Sequence, residues 1–244
     1  ENKWYRKADG SLITPYQIYG RAKGYPELFY CEGSTISLKG STTRKIAFER
    51  TSKQHVRISQ NTVKDSVLVE KMLMNKQNFK SAKDVDGFVP QASGLYCIRI
   101  KNVHLLPEPF GTILLERGHD ILYIGIASEN LYNRFLNQEL RAKGHGTFFR
   151  SMGAVLGYKP PKGSLIEKRN KKNYKFSKTD ELKIIGWINE NLMVNWVESA
   201  GDLDSLETSL IVKYLPLLNL SKNPAALQIL SYLRKECVEI ANRN

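Results

Sequence analysis

The sequence predicts an α+β fold in which a small sheet packs against several amphipathic helices. Two apolar, aromatic-rich runs, 94–100 (GLYCIRI) and 120–127 (DILYIGIA), are typical of buried strands, and 192–198 (LMVNWVE) predicts a third strand. Apolar residues at helical spacing predict helices at 128–140, 179–191, 202–215 and 226–242. The sequence contains no internal repeat.

The first 90 residues follow a different pattern and are predicted to form a separate β-rich domain. Residues 27–60 alternate short β-prone runs with Gly, Ser, Thr and Lys, which is typical of small antiparallel strands. An apolar face predicts a helix at 62–75, and the loss of periodicity over 75–90 indicates a linker. Residues 1–60 carry 11 Lys and Arg against 5 Asp and Glu, so this domain is expected to be basic.

The sequence contains residues that are expected to end a strand or to begin a helix, both between and after the two buried strands. Pro107, Pro109 and Gly111 are expected to break the chain between the strands. The helix after the second strand starts at a good N-cap, Ser128, and presents Arg134 at its polar edge.

The most basic segment is 159–178, with 8 Lys and Arg against one Glu. Its aromatic residues alternate with lysines, which suits phosphate contact combined with base stacking, and an exposed flexible loop is the alternative. The candidate nucleic-acid contacts here are Lys168, Arg169, Lys171, Lys172 and Tyr174.

Composition excludes several classes of protein. With 244 residues, 41% hydrophobic and 25% charged, the chain is neither disordered nor collagen-like. Its longest apolar stretches, such as 122–127, fall far short of the roughly 18 to 20 residues that a membrane helix requires. The first residues contain no apolar signal-peptide segment, so the expected location is the cytoplasm, in a bacterial cytosol or nucleoid.

Charge and cysteine content narrow the choice of partner and metal. The net charge of +13 favours a polyanionic partner, with nucleic acid and an anionic membrane surface as competing interpretations and a merely solvated basic surface as the third. Three cysteines, Cys31, Cys97 and Cys237, lie far apart and outside any C-x-x-C pattern. They are expected to be free, so any metal should be bound by carboxylates.

Glu207 is the most informative single residue. On a helix that starts after Asp202, it falls within the apolar stripe that includes Leu203 and Leu210. A carboxylate that faces a core costs several kcal/mol unless it is paired, neutralised or bound to a cation. Two interpretations follow: an ion pair with Arg or Lys, or a ligand for a hard cation.

Five short motifs occur in an order that identifies a family. GLY at 94–96, YIG at 123–125, LYNRF with Arg134, and LETSLIVKYLPLLN with Glu207 and Asn219 together resemble the GIY-YIG nucleases. Each motif alone recurs by chance, whereas the order of all five does not. The resemblance covers residues 91–224.

The resemblance implies a three-stranded antiparallel sheet flanked by helices, with one site for phosphodiester hydrolysis and one divalent cation. By the same match, Tyr96 would activate the attacking water, Tyr123 would orient water or phosphate, and Arg134 would hold the non-bridging oxygens. Glu207 would bind Mg²⁺, for which Mn²⁺ can substitute, and Asn219 would support the site.

The chemistry is consistent with these residue types. Mg²⁺ prefers oxygen ligands, keeps most of its waters and needs only one or two carboxylates, so a single glutamate suffices. Tyrosine is a poor base, because its ordinary pKa near 10 leaves only about a thousandth ionised at pH 7. Tyr96 would therefore act either as a phenolate favoured by nearby cations or by passing its proton to a neighbour.

The chain departs from the family pattern in two places that affect the site. The gap between Tyr96 and Tyr123 is long, which indicates an insertion. Many members have a histidine four residues after the arginine, where this chain has Gln138. The substitutes considered are His145 for the histidine and Arg150 for the phosphate role of the arginine.

The sequence therefore predicts a Mg²⁺-dependent endonuclease acting on double-stranded DNA, most consistent with restriction or defence. Residues 91–224 would be catalytic, 1–90 a basic accessory domain that positions DNA, and 225–244 a C-terminal helix. No membrane partner is expected, and a restriction enzyme would dimerise to cut both strands. The alternatives are a repair or mobile-element nuclease, a catalytically silent nucleic-acid-binding module, and a basic protein of membrane surfaces or ribosomes.

Overall fold

The chain divides into two compact units, Glu1–His55 and Val56–Asn244. The predicted boundary near residue 90 thus falls inside the second unit. The computed structural model describes residues 66–243 and, before them, the backbone of 5–6, 12–13, 29–32 and 35–38.

Two antiparallel strand pairs are described in the first unit. They are β1 (Tyr5–Arg6) with β2 (Leu12–Ile13), and β3 (Phe29–Glu32) with β4 (Thr35–Leu38). The second pair matches two of the β-prone runs in the sequence. The other two predicted runs, at 45–48 and 55–59, lie outside the described residues, as does the start of the predicted helix at 62–65.

The second unit is built on one antiparallel sheet of four strands, one more than predicted. Its strands are β5 (Lys80–Ser81), β6 (Gly94–Ile100), β7 (Ile121–Ala127) and β8 (Leu192–Glu198), in the spatial order β5-β8-β6-β7. The three long strands are those that the sequence predicts. Strand β5 is only two residues long and pairs with the outer edge of β8, so it carries no pattern that a sequence could reveal.

Both faces of the sheet are buried, which explains why the long strands are apolar along their whole length. Alternate residues of β6 enter two different cores: Tyr96 and Ile98 belong to one, Leu95 and Cys97 to the other. The first core is covered by most of the helices. The second lies under the helix that carries Glu207.

Helices flank the sheet on both sides. They are α1 (66–74), α2 (Phe110–Glu116), a π-helix (Tyr132–Leu140), α3 (Thr147–Val155), α4 (Lys178–Asn191), α5 (Leu203–Tyr214) and α6 (Gln228–Asn242). Within the part of the chain that the structure describes, no helix is long and apolar enough to cross a bilayer.

The segment after α1 is part of the fold, so the prediction of a linker over 75–90 is wrong. Its side chains Phe79, Ala82, Val85 and Val89 are buried, although their spacing has no regular period. Short 3₁₀ turns on both sides of β5 produce this irregular spacing, because 3₁₀ helices have a different period from α-helices.

The long connection between β6 and β7 contains the predicted insertion. It carries a 3₁₀ turn, Val103–Leu105, and then α2, which begins directly after Pro109. The proline therefore introduces a helix instead of only breaking the chain, since its fixed φ and missing N–H suit the first turn of a helix.

Candidate active site

The two motif tyrosines lie side by side on neighbouring strands. Tyr96 is on the central strand β6 and Tyr123 on the edge strand β7, with ring centroids 6.2 Å apart. Tyr96 lies opposite Gly125, where a Cβ atom would come within 2.5 Å of the Tyr96 Cζ and Oη. The glycine of YIG is therefore needed because the phenol of the first motif lies against its backbone.

The tyrosines are enclosed by aromatic side chains. Tyr96 is fully buried and Tyr123 is 7% exposed. Phe135 stacks on Tyr96 with a centroid distance of 4.7 Å, and Phe148 lies 5.7 Å from Tyr123. The phenol groups are thus held rigidly by packing, and only their hydroxyl ends are free to take part in polar contacts.

Arg134 and Glu139 form an ion pair beside Tyr96. The Arg134 Nη2 and Glu139 Oε1 atoms are 3.2 Å apart, and Arg134 Nη1 donates to Gln138 Oε1 at 3.0 Å. Arg134 and Glu139 are five residues apart, which is the hydrogen-bond spacing of a π-helix. The predicted helix is present but begins at Leu131, so Ser128 is not its N-cap; Asn130 Oδ1 instead accepts from the Asn133 N–H. The π geometry of the helix brings the Arg134 and Glu139 side chains to one side.

Glu139 is a fully buried carboxylate with a complete set of donors. Its Oε1 accepts from the Thr147 N–H at 3.2 Å and from the Tyr96 hydroxyl at 3.4 Å, and its Oε2 accepts from the Phe149 N–H at 3.2 Å. The two N–H groups belong to the first turn of α3, where unpaired backbone donors and the helix dipole favour an anion. Glu139 therefore links the tyrosine to the start of α3.

Sequence reasoning missed Glu139, although the available signal was the same as for Glu207. It lies four residues after Phe135 and one before Leu140, inside the apolar stripe of its helix. α3 was missed as well, because its nine residues include eight buried ones and so show no polar face.

The electrostatics of the site keep both phenols protonated. Burial, and then the negative charge of Glu139, raise the pKa of Tyr96 and of Tyr123 well above the ordinary tyrosine range. Burial also raises the pKa of Glu139, against the opposing effects of Arg134 and of the α3 N–H groups. Burial lowers the pKa of Arg134, but the charge of Glu139 and of the other acidic groups raises it by more. The net pKa lies above the ordinary arginine value, so the guanidinium stays charged.

Glu207 lies on α5 and has a cationic partner. Its side chain is 13% exposed, and its Oε2 accepts from the Lys222 ammonium at 2.7 Å. Its charge acts on Tyr96, Tyr123 and Arg134. The structure thus groups both tyrosines with Arg134 through Glu139, and it realises the ion-pair interpretation of Glu207, whose described side-chain contact is with Lys222.

Glu207 is the motif carboxylate through which a hard cation would be held. Among residues 66–243, no group of three or more His, Cys, Asp or Glu is placed to hold a metal. Lys222 occupies Oε2 of Glu207, so Oε1 is the oxygen that would hold a cation, and Mg²⁺ with a largely intact water shell needs no more than one or two carboxylates.

Asn219 acts on the backbone of the YIG strand. Its Oδ1 accepts from the Ile124 N–H at 3.0 Å and its Nδ2 donates to the Ile124 carbonyl at 2.8 Å. β7 is an edge strand, so Ile124 has no neighbouring strand on that side. The side-chain amide of Asn219 replaces the missing strand and fixes the residue next to Tyr123.

His145 lies apart from the tyrosines. It is 2% exposed, packs against Phe149 and Phe176, and its Nε2 accepts from the Phe176 N–H at 3.3 Å. Burial, with the charges of Lys175 and Arg150, lowers its pKa to about 4. A neutral His145 therefore makes no ion pair with the nearby Glu181, and its contacts do not include the motif residues.

The basic segment 159–178 divides into exposed charges and buried rings. Lys168, Arg169 and Lys172 are exposed and available to an anion, whereas the ammonium of Lys171 donates to the carbonyls of Leu165 and Ile166. Tyr174 is fully buried and Phe176 is 4% exposed, so the expected stacking of these rings on bases does not fit the structure. Both rings instead hold the segment against the core.

Comparison with known proteins adds one match. The family model described as the GIY-YIG catalytic domain matches residues 94–236, more than half of the chain. No curated protein and no solved structure matches. The matched range begins at the glycine of the first motif and includes both tyrosines, Arg134, Glu207 and Asn219. The chain therefore belongs to the GIY-YIG nuclease family.

Proposed function

We propose that this protein is a Mg²⁺-dependent endonuclease that hydrolyses phosphodiester bonds of double-stranded DNA. The observation that supports it most is the grouping of Tyr96, Tyr123 and Arg134 around the buried carboxylate of Glu139. The net charge of +13 and the exposed lysines of 159–178 favour an anionic polymer as substrate.

Arg134 is the residue that meets the substrate first. Its side chain is 35% exposed, compared with 13% for Glu207 and almost none for the tyrosines. A phosphodiester repels an incoming hydroxide, so the guanidinium lowers this barrier by binding the non-bridging oxygens. A bound Mg²⁺ would neutralise the remaining charge and stabilise the leaving 3′-oxygen.

The proton of the attacking water leaves through Tyr96. Since burial keeps the phenol neutral, Tyr96 cannot act as a stored phenolate. It accepts the water proton while its own hydroxyl proton moves to Glu139 Oε1, which is already its hydrogen-bond acceptor at 3.4 Å. The raised pKa of Glu139 makes this carboxylate a better proton acceptor than an exposed glutamate.

The biological role proposed is restriction or another form of defence, with the basic first 90 residues positioning the duplex. Because each site holds one set of motif residues, cutting both strands would require two copies of the chain. A repair or mobile-element nuclease uses the same chemistry. A silent binding module, in which Glu207 serves only its ion pair with Lys222, is the alternative from another class, and the cleavage assay separates the two.

The test is cleavage of supercoiled plasmid and genomic DNA with Mg²⁺ or EDTA, followed by sequencing of the product ends. Discrete Mg²⁺-dependent ends are expected for restriction, and random nicks for a nonspecific nuclease. Glu207→Gln should abolish cutting and retain most DNA binding, with Glu116→Gln as the matched control on an exposed glutamate.

Two results would contradict the proposal. Intact DNA under all conditions, with a folded protein that binds duplex, would indicate the silent module. Full cleavage by Glu207→Gln would remove this residue from the metal site, even if the protein remained a nuclease.

A further inference from the structure

Helices α3 and α6 bring two arginines together next to the motif residues. Arg150 is 8% exposed, and its Nη1 donates to the His145 carbonyl at 2.6 Å. Arg234, on α6, donates through Nη1 to the Thr147 carbonyl at 2.9 Å and to the Ser151 hydroxyl at 2.8 Å. These two acceptors flank Arg150 on α3, so the two guanidinium groups are neighbours.

Tyr174 contacts both arginines, the backbone of Arg150 and the guanidinium of Arg234. Its hydroxyl donates to the Arg150 carbonyl at 3.4 Å, and the Arg234 guanidinium lies over its ring at 5.6 Å from the centroid. This explains why the ring is buried: it covers the two cations instead of facing solvent. Arg234 is only half-buried and forms the opening of the cluster.

Neither arginine has an anionic partner. Among the described residues, Arg134 pairs with Glu139 and Arg141 with Asp86, but Arg150 and Arg234 take part in no ion pair. The Nε atoms of both are buried and have no hydrogen-bond partner. A buried guanidinium beside a half-buried one, each with an unused donor, is costly, and a bound anion would reduce that cost.

The excess of positive charge around these two arginines also affects the pKa of Arg150. Burial, and then repulsion by Arg234, lower the pKa of Arg150 below the ordinary arginine range. The carboxylate that acts on Arg150 is Glu139, which is already held by Arg134 and by the first turn of α3.

We propose that Arg150 and Arg234 form a second phosphate subsite, which binds a backbone phosphate of the nucleic-acid strand beside the phosphate held by Arg134. Planar guanidinium groups present paired N–H donors that match phosphate oxygens, and Arg150 and Arg234 offer two such groups from two helices. The inference rests on the proposed function, because it takes the ligand to be part of the same substrate.

The experiment measures duplex DNA affinity in EDTA, where cleavage is absent, from 50 to 200 mM salt. The variant is Arg234→Gln, and the matched control is Lys235→Gln, which removes the same charge from the next residue, a side chain 73% exposed. One lost phosphate contact reduces the slope of log affinity against log salt by about 0.9. Between 50 and 200 mM salt, the fold-loss of affinity of Arg234→Gln should therefore be about 3.5 times smaller than that of wild type.

The outcomes separate the subsite from the nuclease. A smaller slope for Arg234→Gln together with a wild-type slope for Lys235→Gln supports the subsite. Equal slopes for the two variants overturn it, and the Mg²⁺ cleavage assay then decides the proposed function independently. Wild-type protein that binds no DNA at all would overturn both.

A second variant and probe guard against loss of folding. Arg150→Lys keeps the charge but loses the planar fork, so it should bind DNA more weakly while its melting temperature shows that it is folded. Pyrophosphate should raise the melting temperature of wild type more than that of Arg234→Gln. An equal rise in both proteins overturns the subsite.

Discussion

Replacing Asn219 by alanine should destabilise the domain through two backbone groups of one residue. Asn219 is 4% exposed, and its side chain satisfies both the N–H and the carbonyl of Ile124. Each buried backbone group left without a partner costs about 1–3 kcal/mol, so the free energy of unfolding should fall by about 2–6 kcal/mol. Urea unfolding followed by circular dichroism measures this loss.

Hydrogen exchange provides a local check on the same substitution. The Ile124 amide should exchange much faster in Asn219→Ala, whereas amides of β8, on the other side of the central strand, should change only as far as global stability does. Asn173→Ala, at an exposed asparagine, serves as the control and should leave both measurements unchanged. A loss below about 1 kcal/mol, or an unchanged Ile124 amide, would refute the role of Asn219 as a substitute strand.

Three further predictions concern the protonation and charge of the site. Tyr96→Phe should abolish cleavage but retain DNA binding, whereas Tyr232→Phe, at a tyrosine 61% exposed, should cleave normally in the same plasmid assay. The pKa of His145 is lowered to about 4, so the folded state is most stable above pH 6.5, where this histidine is neutral, and loses stability as the pH falls towards 4. Urea unfolding should show that the free energy of unfolding falls by about 3 kcal/mol over this range. The variant His145→Gln should lack this loss. Lys222→Met should lower the Mg²⁺ concentration for half-maximal cleavage, because the ammonium no longer competes for Glu207; an unchanged or higher concentration would contradict this competition.

The three long strands of the sheet could be predicted from the sequence because they are buried on both faces. The three long strands are continuous apolar runs, which left little choice of structure for 94–100, 121–127 and 192–198. Strand β5 and the 3₁₀ turns around it could not be predicted, since they depend on tertiary pairing with β8 and not on a local period.

In the site as well, the position of a residue on its helix could be predicted from the sequence, whereas its partners from other elements could not. The helical position of Glu207 identified a carboxylate that needs a partner, but the partner, Lys222, lies in a turn after the helix and has a positive φ of 64° that no helical pattern predicts. Glu139 could have been identified by its place in the apolar stripe. Its role could not, because the π-helix that faces it towards Arg134 and the start of α3 that binds it appear only in the fold.

In the proposed mechanism, the arrangement of charges favours one of the two ways in which Tyr96 would act. A phenolate would have to form in a fully buried position with Glu139 as its hydrogen-bond partner, and both burial and that negative charge oppose it. The same carboxylate is well suited to receive the proton, since burial raises its pKa. When Arg134 turns from Glu139 to the substrate, the carboxylate loses a cation that lowers its pKa, so its affinity for the proton rises as the phosphate binds. In the proposed mechanism, binding of substrate and acceptance of the proton would therefore be coupled through the ion pair of Arg134 and Glu139.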